Sequence, residues 1–359
     1  MKKRVGVIFG GRSGEHEISI RSAKTVIEQI DHAKYTVVPL AITPEGVWLD
    51  ADESLAFFRQ ETGDKRQETQ ELLSPVSRLL SAVSIDVVFP VLHGTYGEDG
   101  TIQGLFEMAN IPYVGCGVLA SSCGMDKTVM KTLFHDAGLP ICRHIWFLRS
   151  EFEREPEKVI GQVESNLGYP CFVKPANLGS SVGVSRAGND SELRTAIAVA
   201  AEYDRKIIVE EGLEMREIEC AVLGNDDPKA SLPGEYIIRD PNKAFLDYTE
   251  KYSGTGNNEF VVPAPVSQEL SDKIRAMAIK AFKAIDGSGL ARVDFFLRSD
   301  TGTLLVNEIN TMPGLTDASG FPKMWTGTGM NFAEVIDTLI TFAIERHNDR
   351  RRNKTSFEN

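Results

Sequence analysis

Two stretches of the chain have residue types and spacings suited to phosphate and metal chemistry. In ARVDFFLRSDTGTLLVNEINTMPG, residues 291–314, a period of two sets Arg292, Asp294 and Phe296 on one face of a first strand, and Val306, Glu308 and Asn310 on one face of a second. With Ser299 to Thr303 as a hairpin loop, Arg298 pairs with Leu304 and Asp294 falls opposite Glu308. Carboxylates opposed across a sheet repel unless a cation lies between them. Asn310 adds a neutral oxygen and Arg292 a positive fork. A small oxygen set with open positions suits Mg²⁺, which keeps waters and takes its other ligands from substrate phosphates. A solvent-facing hairpin is the plainer alternative, but NEINTMPG enters its Pro-Gly turn without the polarity of a surface.

The second stretch is KPANLGSSVG, residues 174–183. It lacks the G-x-x-x-x-G-K-[ST] spacing of a P-loop. Placed between two strands, its Gly179 and Gly183 permit unusual φ, Ser180 and Ser181 offer hydroxyls, and backbone N–H groups can turn toward nucleotide phosphates. Lys174 would meet a phosphate oxygen as a point charge. By itself such a loop is more often a flexible turn; the carboxylate hairpin makes a phosphate site the better reading. After KIIVEEGL, Glu210 to Leu213 has the groups to bond an adenine edge, although a Glu-Glu pair at a strand end is equally often solvated.

Near the start, GGRSGEHEIS has glycines at 10, 11 and 14, which is not G-x-G-x-x-G, so a Rossmann oxidoreductase is disfavoured. Glu15 and Glu17 either favour the dipole of a following helix or hold a substrate ammonium. His93 falls at the C-terminal end of a strand, where open α/β sheets bind ligands, and is a candidate substrate contact or support.

The elements that must position these groups follow from periodicity. Strands over Arg4–Phe9, Tyr35–Ile42 and Ile85–Phe89 alternate with helices carrying Ala23, Val26, Ile27 and Ile30, then Ile102, Leu105, Phe106 and Ala109. This predicts an open parallel α/β sheet over residues 1–120, with Asp50 to Ser74 as a polar surface insertion. From Ser121 a helix (Met130, Leu133, Phe134, Ala137), a strand into Lys174, a returning strand Gly183–Arg186, a helix at Leu193–Ala201 and a strand Lys206–Glu210 suggest a small α+β unit over 121–211. Strand Glu217–Gly224, the carboxylate hairpin and a helix from Phe332 make a third unit over 212–359.

A net charge of −12 over 359 residues argues against general affinity for nucleic acid. The basic run Glu345–Lys354 lacks interleaved aromatics and reads as a solvated helix end. The five cysteines lack C-x-x-C spacing and read as reduced core residues. No stretch approaches the ~18 apolar residues of a membrane span, and a soluble, cytoplasmic protein is expected.

Taken together, GGRSGEHEIS, HGTYGEDGTIQG, GMDK, KPANLGSSVG, DYTEKY, ARVDFF and NEINTMPG, in this order, resemble the D-alanine–D-alanine ligases of the ATP-grasp superfamily over essentially the whole chain. The resemblance implies a three-domain α/β and α+β fold with ATP sandwiched between the second and third domains, two Mg²⁺ (or Mn²⁺) and two D-alanines, in a dimeric enzyme for peptidoglycan synthesis. By position, it implies Lys127 and Lys174 on the ATP phosphates, Glu210 and Leu213 at adenine, Glu217 at the ribose, and Lys251 on the transferred phosphate. It implies Asp294, Glu308 and Asn310 as metal ligands, and Arg292 with the Gly314 N–H as oxyanion donors. Glu15 matches the acid on the first substrate's ammonium, Ser180 and Tyr252 its hydrogen-bonded partners, and Ser319 a contact to the second substrate's carboxylate. Tyr252 favours an amine over a lactate nucleophile. Two positions depart from the family pattern, Leu246 in FLDY and Glu211 after Glu210, and neither removes a directly catalytic group. The alternatives are a depsipeptide or D-Ala-D-Ser ligase, a nucleotide-binding regulator without turnover, and an NAD-dependent oxidoreductase resting only on the first glycine-rich turn.

Overall fold

The computed structural model describes residues 2–60, 84–179, 182–238 and 258–354. Ser180, Leu246, Lys251 and Tyr252 lie outside the described residues. Three sheets organise the rest. β1 (Lys3–Gly10), β2 (Tyr35–Ile42) and β3 (Val87–Pro90) form a parallel sheet in the order β2-β1-β3. Both faces are covered, which is why β1 is a nearly unbroken apolar run. Val5, Val7 and Phe9 face the helices His16–Gln29 and Phe332–Arg350, while Ile8 packs with Leu40, Val88, Ile102 and Phe106.

The helix Ala51–Gln60 corrects the expectation of a surface insertion beginning at Asp50. Its Ser54 is fully buried and accepts from the Ala41 N–H at 2.8 Å, and Phe58 meets Phe9 edge-on at 5.3 Å. The acids that look solvated in the sequence are a helix cap. Asp50 Oδ1 accepts from the N–H groups of Asp52 and Glu53, both at 2.9 Å, and Glu53 Oε2 accepts from the Asp50 N–H at 3.0 Å.

The second sheet is antiparallel, in the order β4-β7-β5-β6, from β4 (His144–Leu148), β5 (Cys171–Pro175), β6 (Ser185–Ala187) and β7 (Lys206–Glu211). Helices Pro156–Asn166 and Asp190–Tyr203 bury Val159, Ile160, Val163, Leu193 and Ile197 on one of its faces. The helix Lys127–Asp136 belongs elsewhere, since Met130 and Phe134 pack with the core of the third sheet.

That third sheet has six strands: β8 (Met215–Gly224), β9 (Lys229–Ala230), β10 (Gly234–Ile238), β11 (Asn258–Val261), β12 (Gly289–Arg298) and β13 (Leu304–Asn310). The order is β11-β10-β8-β12-β13, with β9 on β8. The β12–β13 hairpin has a bulge. Leu297 pairs with Leu304, in place of Arg298, and Phe295 with Val306; Asn307 is then passed over, so that Asp294 opposes Glu308 and Arg292 opposes Asn310. Val306 therefore turns into the core with Phe295 and does not share a face with Glu308. The bulge is fixed from outside the ladder, with Val306 N–H donating to Pro140 O at 2.8 Å and Lys131 Nζ to Asn307 O at 3.1 Å.

Candidate active site

A cavity of about 580 Å³ lies between the second and third sheets. Along β12 its lining changes from apolar to charged. Phe296 packs with Leu213 and Met215 beside Glu217, which is paired to Phe296 on β8. Two residues further on, Asp294 faces Glu308 on one side and Glu219 on the other. One end thus suits a flat apolar ring and the other the oxygens of a polyphosphate.

The charged end is built by hydrogen bonds. Arg292 forks onto Asp294, with Nε–Oδ1 2.7 Å and Nη2–Oδ2 2.6 Å, and reaches Glu219 Oε1 at 3.5 Å. Lys127 Nζ lies 3.8 Å from Glu308 Oε2 and donates to Leu178 O at 2.8 Å. Lys127 begins a helix capped by Asp126, whose Oδ1 accepts from the Thr128 N–H at 3.0 Å and whose Oδ2 meets Lys206 at 2.5 Å. Asn310 Oδ1 accepts from the Met312 N–H at 3.1 Å.

Lys174 ends β5 as expected, but its partner is a protein acid. Its Nζ donates to Glu210 Oε2 at 2.7 Å, and Lys131 Nζ stands 2.9 Å from Oε1. The two lysines thus take one carboxylate oxygen each. Glu210, expected to present a carboxylate to an adenine edge, thus also binds two lysines within the protein. Burial alone would raise the Glu210 carboxyl, but the charges of Lys131 and Lys174 outweigh it and hold the group well below the usual carboxylate range. Lys174 is likewise pulled down by burial and held above its ordinary value by Glu210. Lys131 was missed in the sequence; its signal is a lysine one turn after Lys127, three residues before the core Phe134.

The first sheet contributes Glu15, just before helix His16–Gln29. Its N–H donates to Ser13 Oγ at 3.1 Å, and Ser13 Oγ donates to His93 O at 2.8 Å. The carboxylate reaches the glycine-rich loop, for a Cβ at Gly179 would stand 3.3 Å from Glu15 Oε2. His93 is 4% exposed and both ring nitrogens are engaged, Nδ1 with Met312 O at 2.9 Å and Nε2 with Ser22 Oγ at 3.1 Å. Burial lowers its pKa, against the carboxylate of Glu15, so the ring is neutral. In place of a substrate contact through its nitrogens, His93 fixes the turn that carries Gly314.

On either side of Gly314, the Met312 N–H is taken by Asn310 and the Leu315 N–H by Ser22 Oγ at 3.3 Å. Ser319 is buried at the start of helix Gly320–Thr328, with its Oγ 2.7 Å from Thr316 Oγ1. A helix N-terminus suits a carboxylate. A Cβ at Gly320 would run into Glu219 Oε2 and stand 2.9 Å from Phe260. Gly320→Ala is therefore expected to displace Glu219 and Arg292 and to lower kcat/KM by about a hundred-fold, as misplaced catalytic groups do; steady-state kinetics check it, and wild-type rates would show the space to be forgiving.

Among the described residues no group of three or more His, Cys, Asp or Glu is placed to hold a metal. Asp294, Glu308 and Asn310 offer the hard oxygens that Mg²⁺ takes, with Arg292 and Lys127 as the cations beside the acids.

Two antiparallel sheets clasping a cleft with lysines on one wall and paired acids on the other define an ATP-dependent ligase of the ATP-grasp type. Family profiles described as D-ala D-ala ligase N-terminus and C-terminus match residues 4–116 and 133–341. The chain belongs to the D-alanine–D-alanine ligase family. It is 47% identical to the D-alanine–D-alanine ligase of Geobacillus thermodenitrificans, with 100% of each chain covered, and 46% identical to that of Heliobacterium modesticaldum over 99% of this chain and 98% of the relative. Among solved structures it is similar to the D-alanine–D-alanine ligase from Coxiella burnetii (TM-score 0.80, 36% identity, 98% of each chain). It also resembles the VanG D-Ala:D-Ser ligase from Enterococcus faecalis (TM-score 0.79, 35% identity, 96% of this chain and 100% of that one).

Proposed function

We propose that the chain joins two D-alanines in two steps, with ATP as the activating substrate, to supply a peptidoglycan precursor. A carboxylate oxygen of the first D-alanine takes the γ-phosphoryl group as its bond to ADP breaks. The amine of the second then attacks the acyl carbon, and phosphate leaves with that oxygen. The observation that carries this reading is the pairing of Asp294 with Glu308 at the charged end of the cavity, flanked by Arg292 and Lys127.

Placement in the cavity and the family pattern support the residue roles that follow. Leu213, Glu217 and Glu210, which line one end of the cavity, suit the adenosine end. Lys127 and Lys174 hold phosphate oxygens. Asp294, Glu308 and Asn310 would hold two Mg²⁺ (or Mn²⁺), and bound metal would neutralise charge on the transferring phosphoryl group. Arg292 and the Gly314 N–H steady the oxyanion formed by amine attack, a task for preorganised donors. Glu15 orients the first substrate through its ammonium and Ser319 the second through its carboxylate. Ser180, Lys251 and Tyr252, outside the described residues, keep the roles that the family pattern implies. Domain limits of 1–120, 121–211 and 212–359, a homodimer, the cytoplasm as location, and action without nucleic acid or membrane complete the reading. Among the described residues no helix is long and apolar enough to cross a membrane.

The likeness to a D-Ala:D-Ser ligase keeps a second product in view. Product analysis with D-alanine alone, and with D-alanine plus D-serine or D-lactate, is expected to give the alanyl dipeptide as the main product throughout. A mixture dominated by D-Ala-D-Ser or by the ester would reassign the second subsite.

A further inference from the structure

Glu98 closes the turn HGTYGE after β3 and has no part in the roles above. It is only 8% exposed. Its Oε1 accepts from the Gly94 N–H at 2.9 Å, while Oε2 is enclosed and has no hydrogen-bond partner among the described residues. An enclosed carboxylate with one oxygen unpaired is costly, whereas a neutral acid is much less so. Burial pushes the Glu98 carboxyl up, the Glu15 carboxylate pushes it further, and the Gly94 N–H, Arg292 and Lys127 oppose them, leaving it at about 8. His93, the other buried titratable group beside Glu15, is neutral.

Geometry brings the two acids to one small space. A Cβ at Gly179 would stand 3.3 Å from Glu15 Oε2 and 4.0 Å from Glu98 Oε1. A Cβ at Gly94, whose N–H Glu98 holds, would stand 2.5 Å from Glu15 Oε2. Glycine at both positions lets the backbone approach Glu15 without a side-chain clash. Glu98 therefore combines a buried oxygen without a donor with closeness to the acid read as the ammonium site, and a cationic donor would suit both acids.

We propose that Glu98 forms the second wall of the first substrate's amino pocket, carrying a proton beside Glu15 until an arriving ammonium expels that proton to solvent. The O–H bond of Glu98 breaks, the proton goes to bulk water, and the substrate's positive charge takes its place between the acids. This rests on the reading of Glu15 as the ammonium site. Because the proton must leave, affinity for the first D-alanine rises with pH as Glu98 titrates, by about tenfold between pH 7 and pH 9.

The test is calorimetric titration of D-alanine into the full chain without ATP, in phosphate and in Tris at pH 7.5. Wild type is expected to release more protons per D-alanine than Glu98→Gln, whose pH dependence of affinity is flat, with ADP binding by the variant confirming its fold. Equal proton release by the two proteins would overturn the proposal. So would a flat affinity profile for the wild type, which needs no variant. D-alanine that neither binds nor turns over would count instead against the functional reading itself.

Discussion

Glu308→Gln is expected to lower kcat for dipeptide formation by roughly a thousand-fold, the scale on which removal of a preorganised charge from a reacting centre acts. Glutamine keeps the shape and one acceptor oxygen, so the β12–β13 pairing with Asp294 survives and only charge is lost. That charge lies opposite one acid and 3.8 Å from Lys127, at the end of the cavity where the phosphoryl group must move. With adenosine proposed to lie at the other end, beside Leu213 and Glu217, the apparent affinity for ATP should change far less than kcat. Steady-state kinetics with D-alanine and MgATP separate the two parameters. A variant turning over at the wild-type rate would remove Glu308 from the metal site.

Glu210→Ala is expected to destabilise the protein by about 3–5 kcal/mol, because it leaves Lys131 and Lys174 buried as like charges without their shared acid. Denaturant unfolding monitored within the second and third sheets reads this directly. A wild-type midpoint would show that the triad holds nothing together. The double variant Glu210→Gln with Lys131→Met is expected to recover most of the loss, since it removes a buried charge together with the acid. The sign of the pH effect follows from the shifts. Glu210 is held low in the folded protein, so its contribution is present above the ordinary carboxylate pKa and fades as pH falls below it. The lysines are held high, so theirs is present below the ordinary lysine value and fades as pH rises through the folded one. The triad therefore stabilises most across the wide window between.

Much of this arrangement was legible in the residues alone. Tyr35–Ile42 was readable to the residue because it is a short run of apolar and β-branched residues, polar only at the exposed Thr36. Asp294 opposite Glu308 was readable as well, although the assumed register placed Arg298 against Leu304 and the structure reaches the pairing by a different route. The bulge at Asn307 depends on Pro140 and Lys131, distant in sequence, and no local pattern encodes it. The helix Ala51–Gln60 was hidden because its capping acids have the composition of an exposed loop. Lys131 and Glu98 were passed over because a charged residue reads as surface until its burial and partner are known. His93 was found, but its two bonds to Met312 and Ser22 join segments that only the tertiary fold brings together.

On the proposed reaction, ATP activates the first D-alanine through its carboxylate. D-alanine carrying ¹⁸O in both carboxylate oxygens, incubated with MgATP and the enzyme, tests it in one measurement. Each dipeptide formed is expected to be accompanied by ADP and by one inorganic phosphate bearing a single ¹⁸O. Dipeptide formed with wholly unlabelled phosphate would contradict it.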